Sequence, residues 1–127
     1  MKQEDKDLLL KDLSARLPYG TKVRRYRYTT PIDSIQSVEL LGLEWLKELY
    51  EEEAEFKPYL FPLSSMTEEQ KKEFNSYFAS VPYYGDNIHI PYYSIELLID
   101  FYNKHHLDWR GLIEKSLALD ATGKNIY

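Results

Sequence analysis

Prolines at 18, 31, 58, 62, 82 and 91 cut this chain into segments that must each settle their own backbone geometry. A proline fixes its φ, has no N–H to donate, and pushes the preceding residue out of the helical region. Helices are therefore confined to the stretches between these positions. Lys57-Pro-Tyr-Leu-Phe-Pro62 has to be extended, because each proline acts on its predecessor. Residues 4–17 place Leu9, Leu10, Leu13 and Leu17 on one stripe, the spacing of an amphipathic helix. Asp5 and Asp7 near its start and Arg16 in its last turn suit the helix dipole, and Pro18-Tyr19-Gly20 reads as the turn that ends it.

The next segment, Lys22-Val-Arg-Arg-Tyr-Arg-Tyr28, alternates β-branched, basic and aromatic residues and predicts a strand ended by Thr29-Thr30-Pro31. A second strand is expected over residues 34–40, with Ile35 and Val38. Residues 41–53 fit both periods in part; their Leu, Glu and Lys content favours a helix. Thr67-Glu-Glu-Gln70 is a capping box, in which the threonine hydroxyl accepts from the Gln70 amide while the Gln70 side chain reaches back. It should open a helix that buries Phe74, Tyr77 and Phe78. A turn on Gly85-Asp86-Asn87 and a short strand at 88–90 follow. Ser94 reads as the N-cap of a helix reaching about His105, with Ile95, Leu98, Ile99 and Tyr102 inward. Asp108 is expected to cap a short helix over 109–117, and residues 122–127 to form a loose tail. These elements predict an α+β fold, with one domain over residues 1–127: an N-terminal helix, a small antiparallel sheet from about residue 21 to 40, and two or three helices of the second half packed on it.

Composition narrows the chemistry. The chain has no cysteine, which excludes disulfides, thiolate metal sites and cysteine nucleophiles. Apolar residues make up 43% of the 127, enough for a core without staples. The start is neither basic nor apolar enough for a signal peptide, and no apolar run approaches the roughly 18 residues of a membrane span. A cytoplasmic protein without membrane contact is the expectation. The net charge of −5 is unevenly spread. Residues 1–30 carry eight basic against four acidic residues, and residues 31–60 carry two against eight. Such a dipole can steer a partner, including a second copy of the chain.

Three stretches carry a resemblance. They are Leu8-Leu-Leu-Lys-Asp-Leu-Ser-Ala-Arg-Leu-Pro-Tyr-Gly20, Lys57-Pro-Tyr-Leu-Phe-Pro-Leu-Ser-Ser-Met-Thr-Glu-Glu-Gln70, and His105-His-Leu-Asp-Trp-Arg-Gly-Leu-Ile-Glu-Lys-Ser-Leu-Ala-Leu119. Together they cover about a third of the chain and resemble an uncharacterised family of small bacterial and phage-associated proteins, found with gut commensals and mobile elements. Ser116 stands where that pattern has glycine, and the Thr122-Gly-Lys-Asn-Ile-Tyr127 ending departs from its usual tail. The resemblance implies an origin and no mechanism.

Four groups of residues are candidates for function. His105, His106 and Asp108 are the one cluster of titratable groups suited to a hydrolase or transferase. Neighbouring helical residues point about 100° apart, however, and two imidazoles at a helix C-terminus also satisfy its carbonyls and dipole. Lys22, Arg24, Arg25 and Arg27 interleave with aromatics and could bind nucleic acid by neutralising phosphates beside stacked bases. On a solvent-facing strand the same cations would block edge-to-edge pairing. Glu51-Glu52-Glu53, with Glu48 and Glu55, could mimic nucleic-acid charge, hold a cation or face the basic strand, but lacks calcium-loop spacing. The 12 tyrosines are the most unusual feature, and Tyr83-Tyr84 and Tyr92-Tyr93 bracket a short polar loop. Tyrosine gives broad amphipathic contact area and is enriched in interface hot spots.

No phosphate-binding glycine loop, nucleophile elbow or zinc-protease motif is present in the sequence. These residues imply no cofactor and no metal. The expected function is a non-enzymatic accessory protein of a phage or mobile element that binds another protein, still to be identified, through Tyr83, Tyr84, Tyr92 and Tyr93.

Overall fold

The computed structural model describes residues 2–28, 32–42, 44–50, 54–79, 83–84, 87–88 and 92–127. Helix α1 spans Gln3–Arg16, and Leu9 and Leu13 of its apolar stripe are fully buried. A tight 3-10 turn, Leu17–Tyr19, carries Pro18, and Gly20 leaves it at φ 67. That left-handed angle carries no steric cost for glycine, and it turns the chain into the sheet.

Strand β1 (Lys22–Arg27) pairs antiparallel with β2 (Ile32–Ser37) on one side and with β3 (Ala54–Leu60) on the other. Strand β6 (Leu119–Asp120) adds itself parallel to Tyr59 and Leu60, giving the order β2-β1-β3-β6. The α+β class therefore holds, and the sheet is wider than residues 21–40. The proline-rich segment is extended as expected and becomes an inner strand. Pro58 lies opposite Val23, ahead of the point where β6 joins, so its missing N–H faces no β6 partner. The second strand ends at Ser37, and Val38–Leu41 winds into a 3-10 turn that buries Val38. Helix α2 is short, Glu44–Leu49, and lays Trp45 against Phe56 with ring centroids 6.5 Å apart. One face of the sheet, with Val23, Phe56 and Leu60, closes a core with Leu9, Leu13, Trp45, Leu49, Leu112 and Leu117.

Helix α3 (Glu68–Ala79) opens as the capping box requires. The Gln70 amide donates to Thr67 Oγ1 at 3.1 Å, and the Thr67 amide donates to Gln70 Oε1 at 3.0 Å. It packs on α4 (Tyr92–Lys104) through Phe74 and Tyr77, whose rings lie 6.0 and 5.9 Å from Phe101. Between these helices in sequence, β4 (Tyr83–Tyr84) and β5 (Asn87–Ile88) pair antiparallel, while Gly85 and Asp86 of the expected turn and residues 89–90 of the expected strand lie outside the described residues.

Four local expectations are corrected. Ser94 is inside the first turn of α4, not its N-cap; Pro91 precedes the helix in sequence, a residue favoured at helix starts. Ile95 is not inward but 46% exposed, and among the described residues of this helix Phe101 is the fully buried one. Residues 109–117 are turns, because Gly111 (φ 74) and Ser116 (φ 61) both sit in the left-handed region and interrupt any helix. The tail is docked: Tyr127 places its hydroxyl between two strands of the sheet.

Candidate functional site

The C-terminal end of α4 is where titratable side chains meet the sheet. The helix closes by a 6→1 bond from the Leu107 amide to the Tyr102 carbonyl (2.8 Å), with His106 in the left-handed conformation at φ 57. The following residues are sewn to the end of β3. Phe61 N donates to His106 O and Asp108 N donates to Phe61 O, each at 2.8 Å. This arrangement sets the directions of His105, His106 and Asp108, and it drives them apart.

His105 turns toward α3, where its Nε2 lies 3.3 Å from Glu73 Oε1. Glu73 also takes Lys104 Nζ at 2.9 Å and the Tyr77 hydroxyl at 3.2 Å. Partial burial opposes ionisation of Glu73, but the bonds from Lys104 and His105 outweigh it and hold the carboxyl below its ordinary value. The same pair raises Lys104, chiefly through its hydrogen bond to Glu73. His105 and Glu73 border a cleft of about 330 Å³, also lined by Thr67, Glu69 and Gln70.

His106 turns the other way. Its ring stacks on Tyr127 at 3.8 Å and 13°, and its Nδ1 lies 3.5 Å from the buried Thr21 hydroxyl. Burial, together with the nearby Arg16, His105 and Lys22, pushes its pKa down to about 4. Burial likewise pushes the Tyr127 phenol up to about 12. That phenol donates to Tyr59 O at 2.6 Å and accepts from Lys22 N at 2.9 Å. Asp108 is buried, and its two oxygens accept from the Leu112 and Ile113 amides at 2.8 and 2.9 Å. The expected cap is real in its chemistry, but it organises turns. The three residues proposed for catalysis thus face three different sets of partners and form no common acid–base centre.

A buried charge network below this end went unnoticed in the sequence. Asp12 accepts from Arg16 Nε at 2.8 Å and from Arg110 Nε at 3.2 Å, and Arg16 Nη2 donates to Leu107 O at 2.7 Å. Arg16 is 0% exposed, so it is an internal anchor and not a surface partner of the helix dipole. The i,i+4 spacing of Asp12 and Arg16 was the available signal; the leucines around them hid it.

The basic strand is also rearranged by the fold. β1 is an inner strand, so its cations do not guard an edge; β2 is the outer strand. Alternation separates the four residues, with Lys22 and Arg24 on the open face and Arg25 and Arg27 on the side of Val23. Arg24 makes a two-pronged contact with Asp33 at 3.0 and 3.1 Å, Lys22 Nζ donates to Ile126 O at 2.6 Å, and Arg25 Nη1 donates to Gln36 at 3.1 Å.

The tyrosines are divided too. Tyr83 and Tyr84 form β4, and Tyr92 and Tyr93 begin α4. The contacts of their side chains lie outside the described residues, as do Glu51, Glu52 and Glu53 and the side chain of Glu48. The next turn of α4 is described: Ile95 is 46% and Leu97 44% exposed.

Among the described residues, no group of three His, Asp or Glu side chains is placed to hold a metal ion, and no helix is long and apolar enough to cross a membrane. No family model matches this chain, and no curated protein or solved structure is found similar to it.

Proposed function

We propose that this chain is a non-enzymatic accessory protein, of phage or mobile-element origin, that works by binding another protein. The contact surface is the β4–β5 hairpin with the start of α4, carrying Tyr83, Tyr84, Tyr92 and Tyr93. The observation that carries this reading is the exposure of Ile95 and Leu97, which continue the tyrosine pair along the helix. Residues two apart on a helix point about 200° apart. Two uncovered apolar side chains so disposed leave this turn open on opposite flanks, whereas Phe101 further along is fully buried. Tyrosines are enriched among interface hot spots, and all four lie within 14 residues of this turn in sequence. The origin rests on the resemblance of the 8–20, 57–70 and 105–119 stretches to the phage-associated family.

The test is capture of partners from a native-host lysate with the unaltered chain and with Tyr84→Ala, Tyr92→Ala and Leu97→Asn. Each substitution should weaken retention of the captured protein about tenfold, the size of a modest hot spot. The melting temperature should stay unchanged. A captured set identical for all four proteins would remove this reading.

A further inference from the structure

The sheet has a second face, open along β1 and β2 and closed at Tyr59, which is 7% exposed beneath the C-terminal tail. Along β1 it carries Lys22, Arg24 and Tyr26, with Tyr28 just beyond the strand; along β3 it carries Glu55, Lys57 and Tyr59; along β2 it carries Asp33 and Ile35. Tyr28 is 58% exposed and Ile35 47%, so this part of the sheet is not covered. Tyr26 and Tyr28 meet edge to face at 5.1 Å, and the Arg24 guanidinium sits 5.5 Å from the Tyr26 ring centroid. At one end, the tail brings Lys124 to 6.0 Å from the Tyr59 ring centroid.

Cations gather on this face of a chain that carries −5 overall. Lys22, Arg24, Lys57 and Lys124 stand beside Asp33 and Glu55, with Asp5 at the rim next to Lys57 and Asp120 near Lys124. Arg24 is paired directly opposite Lys57 across the ladder. Like charges directly opposite each other on a sheet are destabilising. Asp33 answers Arg24 from the other side through the two-pronged contact, which is half exposed and therefore screened by salt. Among the described residues, Lys57 has no carboxylate within ion-pair distance.

We infer that this face is a binding platform for single-stranded nucleic acid, with Arg24, Lys57 and Lys124 tracking phosphates and Tyr28 and Tyr26 stacking on bases. Cations interleaved with accessible rings on an exposed sheet fit a polyanion that also offers flat apolar faces. A protein partner would use the rings and would need carboxylates placed against both Arg24 and Lys57, whereas a nucleic-acid strand brings a phosphate at every step of its backbone. A duplex would use the cations and leave the rings idle. The surface is separate from the start of α4, so the two proposals stand or fall independently.

The experiment is fluorescence anisotropy of the full chain with a labelled oligothymidylate of about 16 nucleotides. At a slope near −0.7 per phosphate, three neutralised phosphates predict a loss of roughly 20-fold in affinity between about 50 and 200 mM salt. Lys57→Gln should reduce that loss to roughly sevenfold by removing one contact. Tyr28→Leu, which keeps an apolar side chain, should weaken binding at least fivefold or so without altering the salt slope. Lys72→Gln on exposed α3 should change neither quantity. Absence of binding at about 50 mM salt overturns the inference. Equal affinity for a duplex of the same length overturns it as well, as does an effect of Lys72→Gln matching that of Lys57→Gln. Loss of a protein partner on Tyr28→Leu, with no oligonucleotide bound, assigns the face to protein instead.

Discussion

At its C-terminal end α4 runs into a region where nearly every polar group is already used. Asp108 holds two amides, Asp12 holds two guanidinium groups, and the Tyr127 hydroxyl bridges Tyr59 and Lys22. In the N-terminal half of the same helix, Ile95 and Leu97 lie open. The contrast separates two kinds of residue that look alike in a sequence. Histidines, aspartates and arginines gathered in one stretch suggest chemistry, yet here their bonding capacity is turned inward to hold a loop on a sheet. The plain aliphatic residues further up the helix are the ones left without a covering surface.

The largest way to break this contrast is Asp12→Ala. It leaves the guanidinium of fully buried Arg16 without its carboxylate and also frees Arg110. Removing one partner of a buried ion pair costs about 3–5 kcal/mol, because the remaining charge keeps its desolvation penalty. Urea denaturation should show this as a large fall in midpoint. A change below about 1 kcal/mol would mean that this end is not held by the network.

A second effect comes from pH. His106 titrates at about 4 when folded, against an ordinary value of 6.5, so the unfolded chain takes up its proton first as pH falls. The contribution is therefore complete above 6.5 and is lost progressively between 6.5 and 4, to a maximum of about 3 kcal/mol. The stacked Tyr127 titrates at about 12 rather than 10, so its own contribution is present below 10 and fades as pH rises toward 12. Stability of this end should form a plateau between the two windows. Denaturation midpoints across pH would show it, and His106→Gln should flatten the acidic limb. An unchanged acidic limb in that variant would assign it to other groups.

Tyr127→Phe keeps the stack on His106 and deletes one oxygen. The Tyr59 carbonyl and the Lys22 amide then lose their partner, at a cost of about 1–2 kcal/mol. The smallest effect belongs to the open half of the helix. Ile95→Ser should alter stability by no more than about 0.5 kcal/mol, since the side chain is 46% exposed and makes little use of the core. Measured side by side, these variants grade the molecule from a closed end to an open one. A costly Ile95→Ser would place that side chain under cover and erase the difference.

Much of the local structure was legible in the residues. The 4–17 helix, the 22–28 strand, the extended proline segment and the Thr67–Gln70 cap each depend on interactions within a few positions, and each is present. The failures share a different cause. Asp108 kept its capping chemistry but met amides at Leu112 and Ile113, because Gly111 and Ser116 turn the backbone left-handed. The tail docks because Tyr127 finds acceptor and donor on strands more than sixty residues away. The candidate catalytic group dissolved for the same reason, since His105 is claimed by Glu73 and His106 by Tyr127.

The amino-acid order alone determined the first helix, the basic strand, the extended proline segment, the Thr67–Gln70 cap and how charge is distributed along the chain. Those properties follow from backbone sterics and from hydrogen bonds that close over short loops. Only the three-dimensional arrangement decided which cations share a face, which histidine meets which partner, and which apolar side chains stay uncovered. Each of these depends on contacts between residues distant in sequence, and no local periodicity encodes which distant surface will arrive.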